Sequence, residues 1–383
     1  MAFTSMDDII SKISVSGQAK RIDWNKNFLP TTTATAGEWS CLARGAGNPG
    51  ADALFNTGTN LLFQPTSEST AAVGSIQHGG NVSPSYKHIL NASAFTAAST
   101  VAPCIMMLVD LVGFYRKTSV TTTTLQATTN TLSAFSTFTV NAGTDIVTHL
   151  NNNLMNLSTI QVSSSGALPA GLAAATDYFV IKTGDFTCKL ASSHANAVAG
   201  TPIDITDAGT GTHTINTLLP RYTDGSGLQA FMWNTNATPL GAGTPNLSIE
   251  YTNSNSVTLK TTPATLPIGK TAAANGLIIY SGTGSGKYGP FMPLAQGDSG
   301  IKSITGIQNS TSYVSGEYSV GICKPLLTLP ITTLGVASER DLVNQLPSLP
   351  RIYDGACLIW LIYNGAATPT NSAIYGHLDI AWG

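Results

Sequence analysis

The stretch from Ser281 to Gly300, SGTGSGKYGPFMPLAQGDSG, gathers the residue types most able to do chemistry in this chain. Its first half has the look of a phosphate-binding glycine loop. Such a loop needs GxxxxGK followed by Ser or Thr, because backbone amides ring the phosphates, the lysine neutralises them and the hydroxyl holds magnesium. Here Ser281 stands where the first glycine is required and Tyr288 follows Lys287. Pro290 and Pro293 also obstruct the helix on whose N-terminus the phosphates would rest. The second half ends in Gly297-Asp298-Ser299-Gly300, the setting of a serine nucleophile. A nucleophilic serine also needs a general-base histidine and an orienting carboxylate. The upstream candidates, His78 in IQHGG and His88 in SYKHIL, sit in no recognisable catalytic context. A β-turn is the expected role of GDSG, and no catalytic residue is assigned.

The remaining reactive residues are weaker candidates. His149, His194 and His213 are dispersed, without metal-ligand spacing. Asp204 and Asp207 in DITDAGTG have a spacing common in Asx-turns, which is the reading preferred over a calcium site. Lys20, Arg21 and Lys26 bracket Trp24, but three cations in a chain with net charge −2 make a poor nucleic-acid surface. The expectation is therefore no metal, no cofactor and no direct nucleic-acid contact. These residues, with Ile9, Ile10 and Ile13, are instead expected to face a neighbouring subunit.

The elements that must position these residues are set by an unusual composition. Of 383 residues only 10% are charged, where about 25% is ordinary, although the hydrophobic fraction is 42%. Thr, Ser, Asn, Ala and Gly take the place of charge, which suits strands and turns. Net charge −2 gives little colloidal repulsion, so a chain of this kind suits life in an assembly. Cys41, Cys104, Cys188, Cys323 and Cys357 are scattered, mostly in apolar runs, and read as buried free thiols. The N-terminus MAFTSMDDII lacks a basic-then-apolar leader pattern, and no apolar run reaches the ~18 residues that would span a bilayer. Synthesis in a reducing cytoplasm without membrane association is the expectation.

Residues 5–17, SMDDIISKISVSG, predict a helix with Ser5 and Asp8 at capping-box spacing, an apolar stripe of Met6, Ile9, Ile10 and Ile13, and Gly17 as the stop. The polar segment after it predicts an extended arm rather than core, so residues 1–28 form a helix and arm. Short β-rich runs follow: EWSCLA, NLLFQP, CIMMLVDLVGFYR, LQAFMWN, NLSIEYT, GLIIYSG, YSVGICKPLL, GACLIWLIYNG and AIYGHLDIAW. SERDLVNQL, from Ser338 to Leu346, predicts a second short helix. The fold class is all-β, a jelly-roll-like β-sandwich host over 29–132 and 219–383.

The triplet Asn-Thr-Leu occurs at 130–132 and again at 216–218, as though residues 133–218 were inserted at one point of the host. This segment holds two lysines against five aspartates and carries its own strand-like runs, TFTV, TIQVSS, DYFVIK, FTCKLAS and THTIN. It is expected to be a small β-domain projecting from an exposed loop tip.

The segment LPAGLAAATDYFVIK and then CKLASSHANAVAGTPIDITDAGTGTHTI resembles a small β-module found inside structural proteins of tailed bacteriophages. The match covers Leu168 to Ile215. The host segments RIDWNKN, HGGNVSPSYKHILN, LPRYTDGSGLQAF, YGPFMPLAQGDSGI and SERDLVNQLPSLPRIYDGACL likewise resemble phage virion proteins encoded among head and tail genes. The resemblance implies a non-enzymatic particle component: a capsid decoration or cement protein on the outer surface of the virion, bound to the major capsid protein and forming a homo-oligomer such as a trimer. The alternative it leaves open is a tail-associated or fibre-like protein whose insert recognises a host-surface glycan.

Overall fold

The computed structural model describes residues 3–28, 36–51, 62–63, 74–263, 269, 275–280, 289–345, 349–365 and 372–383. It is nearly all β, with antiparallel pairing throughout the described strands and three short helices.

The longest strands are apolar at almost every position and lie at the centre. Cys104–Thr118 is flanked by Tyr318–Ile331 on one side and Leu358–Asn364 on the other. Gln229–Asn234 and Glu38–Cys41 complete this central sheet at opposite ends. A continuous apolar run signals burial on both faces, and Met106, Leu108, Val109, Leu111, Val112 and Phe114 are all fully buried.

The two ends of that sheet do not remain open edges. Residues 276–279 run between them. The Cys41 amide donates to the Gly276 carbonyl and the Ile278 amide to Trp39 on one side. On the other, the amides of Asn234 and Ile279 donate to Leu277 and Met232. The described part of the GLIIYSG run, residues 276–280, is thus a closing segment joined by isolated bridges rather than a regular strand, and its last two residues lie outside the described residues. It satisfies backbone groups that would otherwise invite pairing with another chain.

A second sheet packs against the same core, in the order Ser338–Asp341, Lys87–Phe95, Ala373–Trp382, Ala19–Asn27 and Gly47–Asn48, with Arg351–Ile352 also pairing with Lys87–Phe95. This corrects the expected arm. Ala19–Asn27 is an inner strand, in register with Ala373–Trp382 over nine residue pairs. Its alternation places Ile22, Trp24 and Lys26 inward and Arg21 and Asp23 outward. A third, smaller sheet holds Leu247–Asn253 and Ile301–Asn309 between two short flanking strands.

Helix α1, Met6–Ser14, forms as its sequence predicts: Ser5 caps it by accepting from the Asp8 amide, and Gly17 adopts φ +62° in the turn that follows. Ile9 anchors it against Leu90 and Ala381. The expected second helix is corrected in part. Ser338–Asp341 is a strand paired with Lys87–Phe95, and among the segment's described residues only Leu342–Gln345 is helical, with Asp341 accepting from the Val343 and Asn344 amides; Leu346 lies outside the described residues. Edge pairing outweighed a four-residue helical preference.

Between Ser133 and Thr217 six strands close into a barrel, in the order Thr159–Ser164, Tyr178–Gly184, Thr187–Ala191, Ile146–His149, Ser133–Asn141, His213–Thr217. Phe138, Ile160, Val162, Tyr178, Val180, Leu190, Ile205 and Ile215 form its own core, separate from the large one. All five cysteines are buried, and none is in a disulfide.

The chain enters and leaves this barrel at two tethers on one host strand, Cys104–Thr118. On entry, the Tyr115 hydroxyl donates to Asn130 Oδ1 at 2.6 Å and to the Ile304 carbonyl at 2.9 Å. On exit, the Arg221 guanidinium grips the Asp110 carboxylate through two nitrogens, with Nε at 2.7 Å. Arg221 also donates to the Leu111 carbonyl, and Asp110 accepts from the Cys357 amide. Both side chains are almost wholly buried, at 1% and 0% exposure. Removing one partner leaves an uncompensated buried charge, so Arg221→Met is expected to cost about 3–5 kcal/mol in chemical denaturation. Adding Asp110→Leu should recover part of that loss. A single-variant cost below about 1 kcal/mol, the worth of a surface pair, contradicts this assignment.

Candidate functional site

Of the residues expected to face a neighbour, the structure divides the set. Ile10 and Ile13 lie on the outer side of α1 at 54% and 40% exposure, in line with Met6 at 48% and next to Val15 at 82%. This is a short apolar stripe with no described cover. Ile9, at the inner edge of the same stripe, is turned into the domain against Leu90 and Ala381. Lys20 and Arg21 are exposed, and Arg21 is held by a two-nitrogen pair to Asp379 at 2.8 and 3.0 Å. Trp24 and Lys26 are corrected: both are buried, at 3% and 2%. Trp24 packs on Trp360, and the Lys26 ammonium donates to the Gly45 and Gly50 carbonyls. They belong to their own core, and the cations around Trp24 form no common patch.

The GDSG segment is a turn that ties two loops together. Asp298 is its centre: the carboxylate accepts from the Tyr251 hydroxyl at 2.6 Å and from Asn253 Nδ2 at 2.7 Å. Burial together with Asp298 pushes the Tyr251 phenol well up. Ser299 Oγ lies 3.3 Å from Ser254 Oγ, and the Ser299 carbonyl accepts from the Gly227 amide. Gly300 has no room for a side chain, since a Cβ would meet the Gly225 carbonyl at 2.1 Å. His78 is bonded to the Ala356 carbonyl and to Lys87 Nζ, while His88 stacks beside Phe3. Neither histidine is bonded to Ser299. The glycine-rich half, residues 281–288, lies outside the described residues.

In the barrel, Asp207 Oδ1 accepts from the Ala170 and Gly209 amides, an Asx-turn that pulls its carboxyl below the usual range. Among the described residues no cluster of three or more His, Cys, Asp or Glu is placed to hold a metal. His213 is engaged at both ring nitrogens, by Ser164 Oγ and the Ala208 carbonyl. The barrel's Phe138 and Tyr178 are core residues, which removes them from any glycan-facing surface.

Where barrel meets host, a cavity of about 310 Å³ is lined by Gln161, Asp177, Phe179 and Lys302 among others. Its charged and amide groups, Asp177, Lys302 and Gln161, are already engaged. Gln161 donates to Asp177 at 2.8 Å. Lys302 Nζ donates to the Leu157 carbonyl, to Thr159 Oγ1 and to Ser256 Oγ, at 2.9, 3.2 and 2.7 Å. Three donors thus meet three acceptors, two from the barrel and one from the host. Thr223 bonds the Met155 amide and Ser158, and Arg351 donates to Asn153. The seam is a hydrogen-bonded joint. Sequence reading did not single out Lys302, because its partners lie between 46 and 145 positions away.

Comparison with protein-family models and with curated proteins returned no match to this chain. Among the described residues no helix is long and apolar enough to cross a membrane.

Burial holds the Lys302 ammonium down at about 8, against 10.5 for an ordinary lysine. Between those values the unfolded chain binds the extra proton, so Lys302 makes folding more favourable as pH rises from 8 towards 10. The buried thiols of Cys104, Cys188, Cys323 and Cys357, pushed up by burial, act in the opposite sense above 9. The Lys302 contribution is therefore read as a difference. Unfolding free energy of the wild type relative to Lys302→Met is expected to rise by up to about 1.4 kcal/mol per pH unit across this window. A pH-independent difference contradicts the assignment.

Proposed function

We propose that this chain is a structural component of a tailed-bacteriophage particle, a decoration or cement subunit that bridges capsomers on the outer shell. The observation that carries this reading is the outward stripe of α1. Met6, Ile10 and Ile13 are large apolar residues exposed along one stripe of the helix, with Val15 exposed just after it, while Ile9 at the edge of the same stripe fixes the helix to the domain. A short helix whose apolar stripe is covered at one edge only gains from a second surface to bury the rest against. Charge supports the same reading. Of 18 Lys and Arg residues, Lys26, Arg44, Lys87, Arg221 and Lys302 are buried, which leaves a surface with little to repel a neighbour. The resemblance of the host segments and of the barrel sequence to phage virion proteins supplies the kind of neighbour, a major capsid protein.

The mechanism is mechanical. Central strands joined through closing backbone segments resist shear, and the barrel projects from the host on two short tethers. Repetition of the subunit, for instance as a trimer, multiplies weak contacts by raising effective concentration.

The test uses shells stripped of this subunit and the purified full chain. Ile10→Asp with Ile13→Asp places two carboxylates in the attachment surface without touching the core. The expected result is an unchanged melting temperature and a roughly hundredfold weaker binding to shells, about 2.7 kcal/mol. Undiminished binding of the double variant removes α1 from the attachment surface; absence of binding by the wild type overturns the shell reading.

A further inference from the structure

The outer face of the sheet that contains Ala19–Asn27 carries three cross-strand rows of side chains. In the first, Asn25 stands beside Tyr375, and Tyr375 beside Phe95. In the second, Asp23 stands beside His377, and His377 beside Ser93. In the third, Arg21 stands beside Asp379, and Asp379 beside Asn91.

The third row is largely paired, although Asn91 Oδ1 has no partner among the described residues. Arg21 holds Asp379 through two hydrogen bonds, and Asn91 Nδ2 donates to Glu339 at 2.6 Å. The first two rows are not. Among the described residues, the Asp23 carboxylate and the Ser93 and Tyr375 hydroxyls make no hydrogen bond, and Asn25 uses only its oxygen, on the Asn48 amide. His377 reaches no closer than 3.7 Å to Asp379. These free groups surround a groove of about 440 Å³, the size of a small-ligand site. Along one side the rings of Phe95 and Tyr375 stack, with centroids 5.5 Å apart and planes 25° from parallel. At 39% and 40% exposure they present a flat aromatic surface to solvent. Gly376, also lining the groove, cannot carry a side chain: a Cβ would come within 2.5 Å of the Trp24 ring and 2.1 Å of the Ser93 carbonyl.

The chemistry this combination fits is narrow. A flat aromatic face takes up the axial C–H face of a pyranose ring. Carboxylate, amide, imidazole and hydroxyl groups at its rim meet hydroxyls that both donate and accept. The groove lies on a sheet face, away from the hydrogen-bonding edges, so it does not offer strand addition to a peptide. Asp23 is its one carboxylate and the nearest guanidinium, Arg21, is committed to Asp379, which disfavours an anionic ligand.

We propose that this groove is a binding site for a neutral saccharide, the pyranose units of a cell-surface glycan. The site lies on the host sheet and not in the barrel, where glycan recognition was sought from the sequence. It does not depend on attachment to a shell, so its failure and the failure of the shell reading are separable.

The test is NMR titration of the full-length protein with the methyl glycosides of glucose, galactose, mannose and N-acetylglucosamine. Tetramethylammonium serves as the competing small cation. The expected result is saturable binding of at least one glycoside, weakened about tenfold, or 1.4 kcal/mol, by Tyr375→Ala. Asp23→Asn, which preserves shape, is the second variant and should weaken binding without changing the melting temperature. Binding of none of the glycosides overturns the proposal, as does binding that both variants leave unchanged. Binding of tetramethylammonium alone reassigns the groove to cations and equally overturns it.

Discussion

The ion pair between Arg221 and Asp110 is the contact on which the architecture turns. Two charges taken out of water at this depth cost several kcal/mol each unless geometry and further hydrogen bonds offset the loss. Here the guanidinium meets the carboxylate through two nitrogens, and each partner finds one backbone group besides, the Leu111 carbonyl and the Cys357 amide. Asp110 sits midway along the strand that pairs with both Tyr318–Ile331 and Leu358–Asn364. The pair therefore ties the segment returning from the barrel to the most buried strand of the host. Five residues along the same strand, Tyr115 does the same for the segment going out. With both ends held on one strand, the barrel can have its own core and still be joined to the host through the Lys302, Thr223 and Arg351 hydrogen bonds and the packing of Met155 on the host core. Tyr222, directly after Arg221, sits at φ +50°, a conformation costly for a large residue and sustained by the fixed neighbours on either side.

The same economy of charge explains the surface. Several cations are spent inside on neutral acceptors: Lys26 on the Gly45 and Gly50 carbonyls, Lys87 on the Gly80 carbonyl and the His78 ring, Lys302 on a carbonyl and two hydroxyls across the seam. What remains outside is Thr, Ser and Asn, able to hydrogen bond but not to repel. A molecule so built is held apart from its neighbours by little electrostatic force, and α1 offers apolar residues for them to cover. Farther along the sheet face on which α1 rests, the row of Asp23, His377 and Ser93 keeps its hydrogen-bonding capacity beside exposed aromatic rings. The molecule thus has one surface suited to permanent burial and one suited to reversible contact.

Much of the β-structure was legible because continuous apolar runs and Gly, Pro and Asn boundaries are local signals. The strands Cys104–Thr118, Tyr318–Ile331 and Leu358–Asn364 fall where such runs were read, as do most barrel strands. Capping at Ser5 was legible for the same reason. The strand Ala19–Asn27 was not: its inward positions are Ile22, Trp24 and Lys26, and a lysine at the third makes AKRIDWNKN look like a solvated arm. Only the Gly45 and Gly50 carbonyls, brought in by another turn of chain, make that position habitable for an ammonium. Lys87–Phe95 was missed because its alternation is masked by Ala92 and Ala94, which pack closely but carry little apolar signal. The Lys302 joint and the groove at Tyr375 were invisible for a different reason. Both are made by register between segments far apart in the chain, and no spacing along one segment encodes them.

The most direct test of the particle reading is the number of copies of this chain in a purified virion, measured by quantitative mass spectrometry against the major capsid protein. A subunit that repeats with the symmetry of a shell is expected at on the order of hundreds of copies. A few to a few dozen would move it to the tail or connector and contradict the decoration role, and absence from the particle would contradict the structural role itself.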